Sequence, residues 1–421
     1  MIKILNCGNK NYRKKLIHFL DIRRSRKSVD TSIVHKILKD VKKNKHRAVI
    51  KYEKRFSNNS KIFTSQDEIN KSIKKLDPKI KKAIDFAYNR IFKFHALQKP
   101  KDTKFIDKYN NKIYYKNVPL QSIGIYVPAN LPSTVLMCAI PAQIAKIRKI
   151  IISNPRVNGK LNPAVVYAAK KCGVSYIITC GGAQAIANLA YIQKVNKIFG
   201  PGNDFVARAK QLVFGDVGIE GMIAGPSEVT VLADNNSKID QIITSIAAQS
   251  EHGINSQSIL ICRNEKFANL FQQKIFKEIK KYPRYKIIKK SLIDNGLIII
   301  AKKENQIIEC ANIISPEHLE ILTKKPEKYS DKIYNAGCIG IGEFSPVAAS
   351  DYCVGSNHVL GVMGSAKFAS GLNLSDFYKK ISVFKLSKKG VAKVGKFAIQ
   401  LSDFEDLTAH SKSIKSRMRR K

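Results

Sequence analysis

The chain has 421 residues, 44% of them hydrophobic, and a formal net charge of +43 from 75 Lys and Arg against 32 Asp and Glu. That length supports a large core and two or more domains, and the absence of any run of about 18 apolar residues excludes a membrane-spanning helix. The first ten residues lack the apolar stretch of a secretory signal, and eight cysteines with no Cys-x-x-Cys pair fit a reducing cytoplasm, each thiol reading as a small buried hydrophobe.

Clustered Lys and Arg bind polyanions by releasing counterions from phosphates. Here much of the excess lies between Lys10 and Lys116, and the remainder runs through the chain to Arg417-Met418-Arg419-Arg420-Lys421. It is not interleaved with aromatics in an RNA-binding signature. It reads as a lysine-rich solvated surface, with nucleic-acid binding at most non-specific.

From Asp30 to Arg55 apolar residues recur at helical spacing (Ile33, Val34, Ile37, Leu38, Val41), with Asp30 and Thr31 as candidate caps. Further helices are predicted over Asp67–Lys75 and Pro78–Leu97, making a basic helical lead-in that proposes no chemistry. At Gln121 the texture changes. Strands over Ser122–Pro128, Lys149–Pro155 and Ser175–Cys180 alternate with helices over Leu131–Ala145 and Pro163–Cys172, the pattern of a parallel sheet with crossover helices. Gly181-Gly182 follows a strand end and opens a helix, a place for a phosphate or other anion, or a plain tight turn. Gly200-Pro201-Gly202-Asn203 is a second such point. A second α/β half follows, with strands over Glu228–Asp234, Gln257–Cys262, Leu297–Ala301 and His318–Leu322, helices between them, and a strand beginning at Ile339 and Ile341. In the tail, Ser402 is a candidate cap for a last helix carrying His410.

Four of eight histidines stand near carboxylates, in Gln249-Ser250-Glu251-His252, Pro316-Glu317-His318, Asp351 to His358 and Glu405 to His410. Gln249 and His252, three apart, share one helix face. With Asp351 and His410 they are metal-ligand types, although Gln is an uncommon zinc ligand. A helix cap and a hydrogen-bonded core histidine explain the spacing equally well. Glu317-His318 could serve two successive proton transfers, but adjacent residues of a strand point to opposite faces. Cys138 and Cys353 have no neighbouring histidine and read as core thiols rather than nucleophiles.

Taken in order, Gly181 to Ala187, Phe199 to Asn203, Ala224 to Val229, Gln249 to Gly253, Pro316 to Leu319, Asp351 to Leu360, Ser370-Gly371-Leu372 and Glu405 to His410 closely resemble the histidinol dehydrogenase family, from about residue 20 to the end. The resemblance implies a zinc- and NAD-dependent oxidation of L-histidinol to L-histidine through a retained aldehyde. It implies zinc on Gln249, His252, Asp351 and His410, with His318 as base for the alcohol proton and Glu317 as base for water. Ser227, Gln249, His252, His318, Asp351, Glu405 and His410 match substrate contacts, and Tyr126, Gln184 and Asn203 match NAD contacts. The implied fold is α/β, an intertwined homodimer whose tail completes the partner's site. It has an N-terminal arm (1–21), a main domain (22–125 with 229–372), an NAD-side domain (126–228) and a C-terminal dimerisation tail (373–421), the two α/β domains being incomplete Rossmann-like sheets. The chain departs from the family's usual pattern at Ala129-Asn130-Leu131-Pro132, at Gly221-Met222-Ile223, at Leu360-Gly361-Val362 and at Asp406, where a glycine is usual. Two other readings fit some features: a basic nucleic-acid-binding protein that has lost catalysis, and a zinc dehydrogenase of another amino alcohol.

Overall fold

The computed structural model describes residues 1–25, 30–221 and 225–418. Met222, Ile223 and Ala224, named above, and the terminal Arg419-Arg420-Lys421 lie outside the described residues. The chain divides into two compact units, Met1–Gln98 with Gln121–Leu374, and Lys99–Leu120 with Ser375–Lys421.

The strands, in chain order, are β1 (Lys3–Asn6), β2 (Lys104–Ile106), β3 (Lys112–Pro119), β4 (Ser122–Tyr126), β5 (Lys149–Ser153), β6 (Tyr176–Ile178) and β7 (Lys197–Phe199). They continue as β8 (Gly218–Ile219), β9 (Glu228–Ala233), β10 (Gln257–Cys262), β11 (Leu297–Ile300), β12 (His318–Leu322), β13 (Cys338–Ile341) and β14 (Tyr378–Lys385).

The first unit holds two parallel sheets. One has six strands in the order β1-β11-β10-β9-β12-β13, the other five in the order β6-β5-β4-β7-β8. Every residue of β9, β10, β11 and β12 is buried; β11 and the end of β10 read accordingly as unbroken apolar runs, whereas β9 and β12 interleave buried polar residues, Glu228, Thr230, His318 and Glu320, with apolar ones. The chain leaves β9 toward β10 and β11, then returns to lay β12 on the other side of β9. In the five-stranded sheet the same reversal falls between β4 and β7. Such switch points leave a crevice at the sheet edge.

The lead-in is packing support, as expected. Asp30 caps the helix Thr31–Ser57 through the Ser32 amide, and Lys45 (φ 51°) breaks that helix into two segments. Val34, Ile37, Leu38 and Val41 pack with Ile151, Ile178, Ala183 and Leu189 of the five-stranded sheet and its helices.

Three boundaries differ from the sequence reading. Residues 1–21 supply the edge strand β1, paired with β11, and most of the helix Tyr12–Arg24, whose Leu16 and Leu20 enter the core. Residues Ser122–Tyr126 open the five-stranded sheet, because β4 pairs with β5 and β7. Residues 99–120 join the tail: β3 pairs antiparallel with β14 and β2 to form the second unit's sheet. That unit ends in the helices Lys388–Phe404 and Thr408–Met418. Ser402 lies inside the first of them, its hydroxyl donating to the Ile399 carbonyl, so it does not cap the second.

Candidate active site

The helix Ile239–Ser250 runs back against the six-stranded sheet, so its last turn brings Gln249 to the amino-terminal ends of β9 and β12. This is the opposite edge from the strand carboxyl ends where ligands of such sheets are expected. Ser315 ends the preceding helix Glu304–Ile314 in a left-handed conformation (φ 51°), and Pro316-Glu317 turns the chain into β12. Glu317 therefore precedes the strand, and the alternation that would separate it from His318 does not apply. Its carboxylate Oε2 lies 3.6 Å from His318 Nδ1.

His318 is the hub. Gln249 Nε2 is 3.0 Å from Nδ1 and donates to the Glu228 carbonyl at 3.3 Å. That carbonyl stands 3.3 Å from Nδ1 as well. On the other side of the ring Nε2 is 3.4 Å from Asp351 Oδ1, yet it is buried and makes no hydrogen bond. Burial alone would drive the imidazole toward its neutral form, but Glu317 and Asp351 outweigh it and raise the His318 pKa well above the ordinary value. Glu317 in turn accepts the Glu228 backbone N–H at 2.8 Å. Asp351 follows the short helix Val347–Ser350, and its carbonyl accepts from His358 Nδ1 at 2.8 Å. His358 was visible in the sequence beside Asp351 but had no assigned role.

The other expected residues divide. His252 stands exposed just past the helix end, its amide bonded to the Gln249 carbonyl at 3.3 Å. Ser227 immediately precedes β9, half-buried. Glu405 and His410 belong to the second unit, both exposed, at the corner between its two helices. Among the described residues no group of three or more His, Cys, Asp or Glu could hold a metal ion. Cys138 is fully buried and its thiol pushed up by that burial, as a core cysteine should be.

Tyr126, Gln184 and Asn203 cluster instead at the carboxyl ends of β4, β6 and β7. The Tyr126 hydroxyl accepts from the Gly182 amide at 3.4 Å, and burial pushes its pKa up to about 12. The anion position expected at Gly181-Gly182 is already filled from within. Glu53, buried on the lead-in helix, accepts the Gly181 amide at 2.8 Å and Gln184 Nε2 at 2.7 Å. Asn203 caps the helix Asp204–Val213, accepting the Val206 amide at 3.2 Å. Nothing in the sequence around Glu53 pointed to this, because its partners lie more than a hundred residues away.

Residues 22–418 match the family model described as histidinol dehydrogenase. The chain belongs to the histidinol dehydrogenase family. It is an oxidoreductase of histidine biosynthesis, an NAD-dependent dehydrogenase. It is 48% identical to the histidinol dehydrogenase of Pelagibacter ubique, with 100% of both chains covered. With that of Acinetobacter baylyi identity is 39%, covering 91% of this chain and 92% of the relative. The crystal structure of histidinol dehydrogenase from Elizabethkingia anophelis superposes with a TM-score of 0.93 at 34% identity, covering 99% of this chain and 98% of that one. No helix of the described residues is long and apolar enough to cross a membrane.

Proposed function

We propose that the chain oxidises L-histidinol to L-histidine through L-histidinal, in two hydride transfers to two NAD⁺, with one zinc ion per subunit. The observation that carries this reading is the convergence of Gln249, Glu317 and Asp351 on one buried imidazole, His318.

The donor set fits zinc. Gln249 spends Nε2 on the Glu228 carbonyl, which leaves its oxygen as the donor, and carboxylate plus imidazole complete an N/O set. Gln249, His252, Asp351 and the partner's His410 would hold the ion, which when bound orients the substrate's imidazole and amine as a template.

In its neutral form, with the Nδ1 proton turned to the Glu228 carbonyl, His318 takes the alcohol proton at Nε2, the ring atom without a hydrogen bond, as hydride leaves the carbinol carbon for the first NAD⁺. Glu317, fixed by the Glu228 amide, then takes a proton from the water that adds to the aldehyde. The hydrate gives up the second hydride. One alcohol, one water and two NAD⁺ yield one carboxylate, two NADH and three protons. Ser227, Glu405 and His410 contact the substrate, and Tyr126, Gln184 and Asn203 face the cofactor.

The same reading makes the protein a homodimer in which Glu405 and His410 enter the partner's site. It is supported by the helix Lys388–Phe404, where Val394, Phe397, Leu401 and Phe404 recur at helical spacing and are all exposed, an apolar stripe that calls for a covering surface. The cysteines, none of them in a disulfide, agree with a cytoplasmic setting.

NADH formed per L-histidinol consumed tests the whole. Zinc-loaded protein is expected to give two, and none after chelation. A value of one defeats the second oxidation, and undiminished activity after chelation defeats the metal's role.

A further inference from the structure

We infer that Arg23 and Glu228 are a positioning pair through which the first helix of the chain sets the geometry of the bases and of the zinc ligands. The roles it supports rest on the function proposed above.

Arg23 stands in the last turn of the helix Tyr12–Arg24, and its side chain and that of Glu228 are only 7% and 5% exposed. The guanidinium forms a close ion pair with the Glu228 carboxylate. It also donates to the Pro226 carbonyl at 3.1 Å and to the Asn255 carbonyl at 3.3 Å. Pro226 and Glu228 bracket Ser227, and Asn255 lies in the turn from Gly253 to Ser256 that directly follows His252. The Glu228 carboxylate accepts a third segment, through the Met363 amide at 3.0 Å. One buried charge pair thus ties together the loop of Ser227, the loop of His252 and the chain beyond Asp351.

The backbone of Glu228 faces the reacting side. Its N–H holds Glu317 at 2.8 Å, its carbonyl holds Gln249 Nε2 at 3.3 Å, and that carbonyl stands 3.3 Å from His318 Nδ1. A shift in the backbone of this one residue, through the two peptide units that flank it, would move a base and a ligand together. A buried ion pair adds little net stability over an apolar pair of similar volume, and here it also places an acid beside Glu317. Glu228 is raised by that burial, against Arg23, and by Glu317. What the pair provides is direction: a planar fork meeting one carboxylate and two carbonyls fixes the loop in a way an ammonium cannot.

The test compares wild type, Arg23→Lys and the double variant Arg23→Met with Glu228→Leu, all as full-length dimers. Zinc affinity is read by competition of the metal-free protein with a chromophoric chelator, alongside thermal midpoint, kcat and KM. Arg23→Lys is expected to weaken zinc binding and lower kcat by roughly tenfold each, with KM for NAD⁺ unchanged, as losses of supporting contacts to metal ligands do. The double variant is expected to melt near wild type and to keep both losses. Wild-type zinc affinity and kcat in either folded variant would overturn the inference, and so would failure of both to fold, which would make the pair purely structural. A wild-type protein that binds zinc but makes no NADH from L-histidinol would refute the functional reading while leaving the zinc comparison to decide this one.

Discussion

A β-carbon on Gly200 would lie 2.1 Å from the backbone oxygen of Tyr126. Gly200 also holds φ at 106°, where side chains are rarely tolerated. The turn after β7, which leads to Asn203, therefore passes directly over the end of β4 at Tyr126, at the switch point of that sheet. Gly200→Ala must push the two strand ends apart. The expected cost is about 1–3 kcal/mol in stability together with a raised KM for NAD⁺, measured by thermal unfolding and initial rates. An unchanged midpoint would show that the turn can move without strain.

His318 and Glu317 are proposed to act in different half-reactions, so their loss should separate. His318→Ala is expected to lower alcohol oxidation by about 10²–10⁴-fold. Glu317→Gln should spare that step and lower oxidation of the aldehyde by a similar factor, so that single-turnover NADH yield falls from two toward one. Equal loss of both steps in Glu317→Gln would remove the assignment of Glu317 to water.

Because Glu405 and His410 are proposed to serve the neighbouring subunit, two inactive variants should rescue one another. In a heterodimer of His318→Ala and His410→Ala one site carries both substitutions and the other carries neither. Random reassociation of equal amounts should then recover about a quarter of wild-type activity. No recovery after confirmed subunit exchange would place His410 in its own subunit's site.

Glu68 gives the pH dependence a readable sign. Arg156, whose side chain is 3% exposed, and Lys61 hold the Glu68 carboxyl down, from 4.5 to about 2. The folded form therefore binds fewer protons than the unfolded chain between those values, and stability rises with pH there. The contribution is complete above about 4.5 and is lost as pH falls through about 2. Against Glu68→Gln, the wild type should lose its advantage in urea midpoints across that window. A constant difference would mean the pair is not coupled to protonation.

Much of the scaffold was legible because burial on both faces of β10 and β11 writes itself as apolar runs, and helical spacing marks the lead-in. The pair proposed as bases, Glu317 and His318, was legible as chemistry but not as geometry. Strand alternation argues against Glu317 and His318 cooperating, and only the left-handed Ser315 and the turn through Pro316 bring the two side chains to the same side. Arg23 and Glu53 were illegible for a different reason. Each is an ordinary charged residue on an amphipathic helix, and its meaning lies in a partner brought close by topology: Glu228 for one, Gly181 and Gln184 for the other. Asp406 is a case in which a single residue spoke locally. Where a glycine is usual it adopts φ 57°, a conformation that aspartate tolerates better than most residues.

Strand β1 has one further consequence, for the order in which the protein assembles. Residues 3–6 are synthesised long before residues 297–300, their partner in the sheet. At ~5–20 residues per second on a ribosome, that partner emerges on the order of 15–60 s later. For most of that interval, until residues 228–233 of β9 are made, Ile2, Leu5, Leu16 and Leu20, all buried in the finished fold, have no neighbouring strand of the six-stranded sheet to pack against. Arg23 waits with them. The nascent chain must therefore keep its own beginning soluble until the middle of the protein arrives, and a dense covering of lysines is well suited to that task.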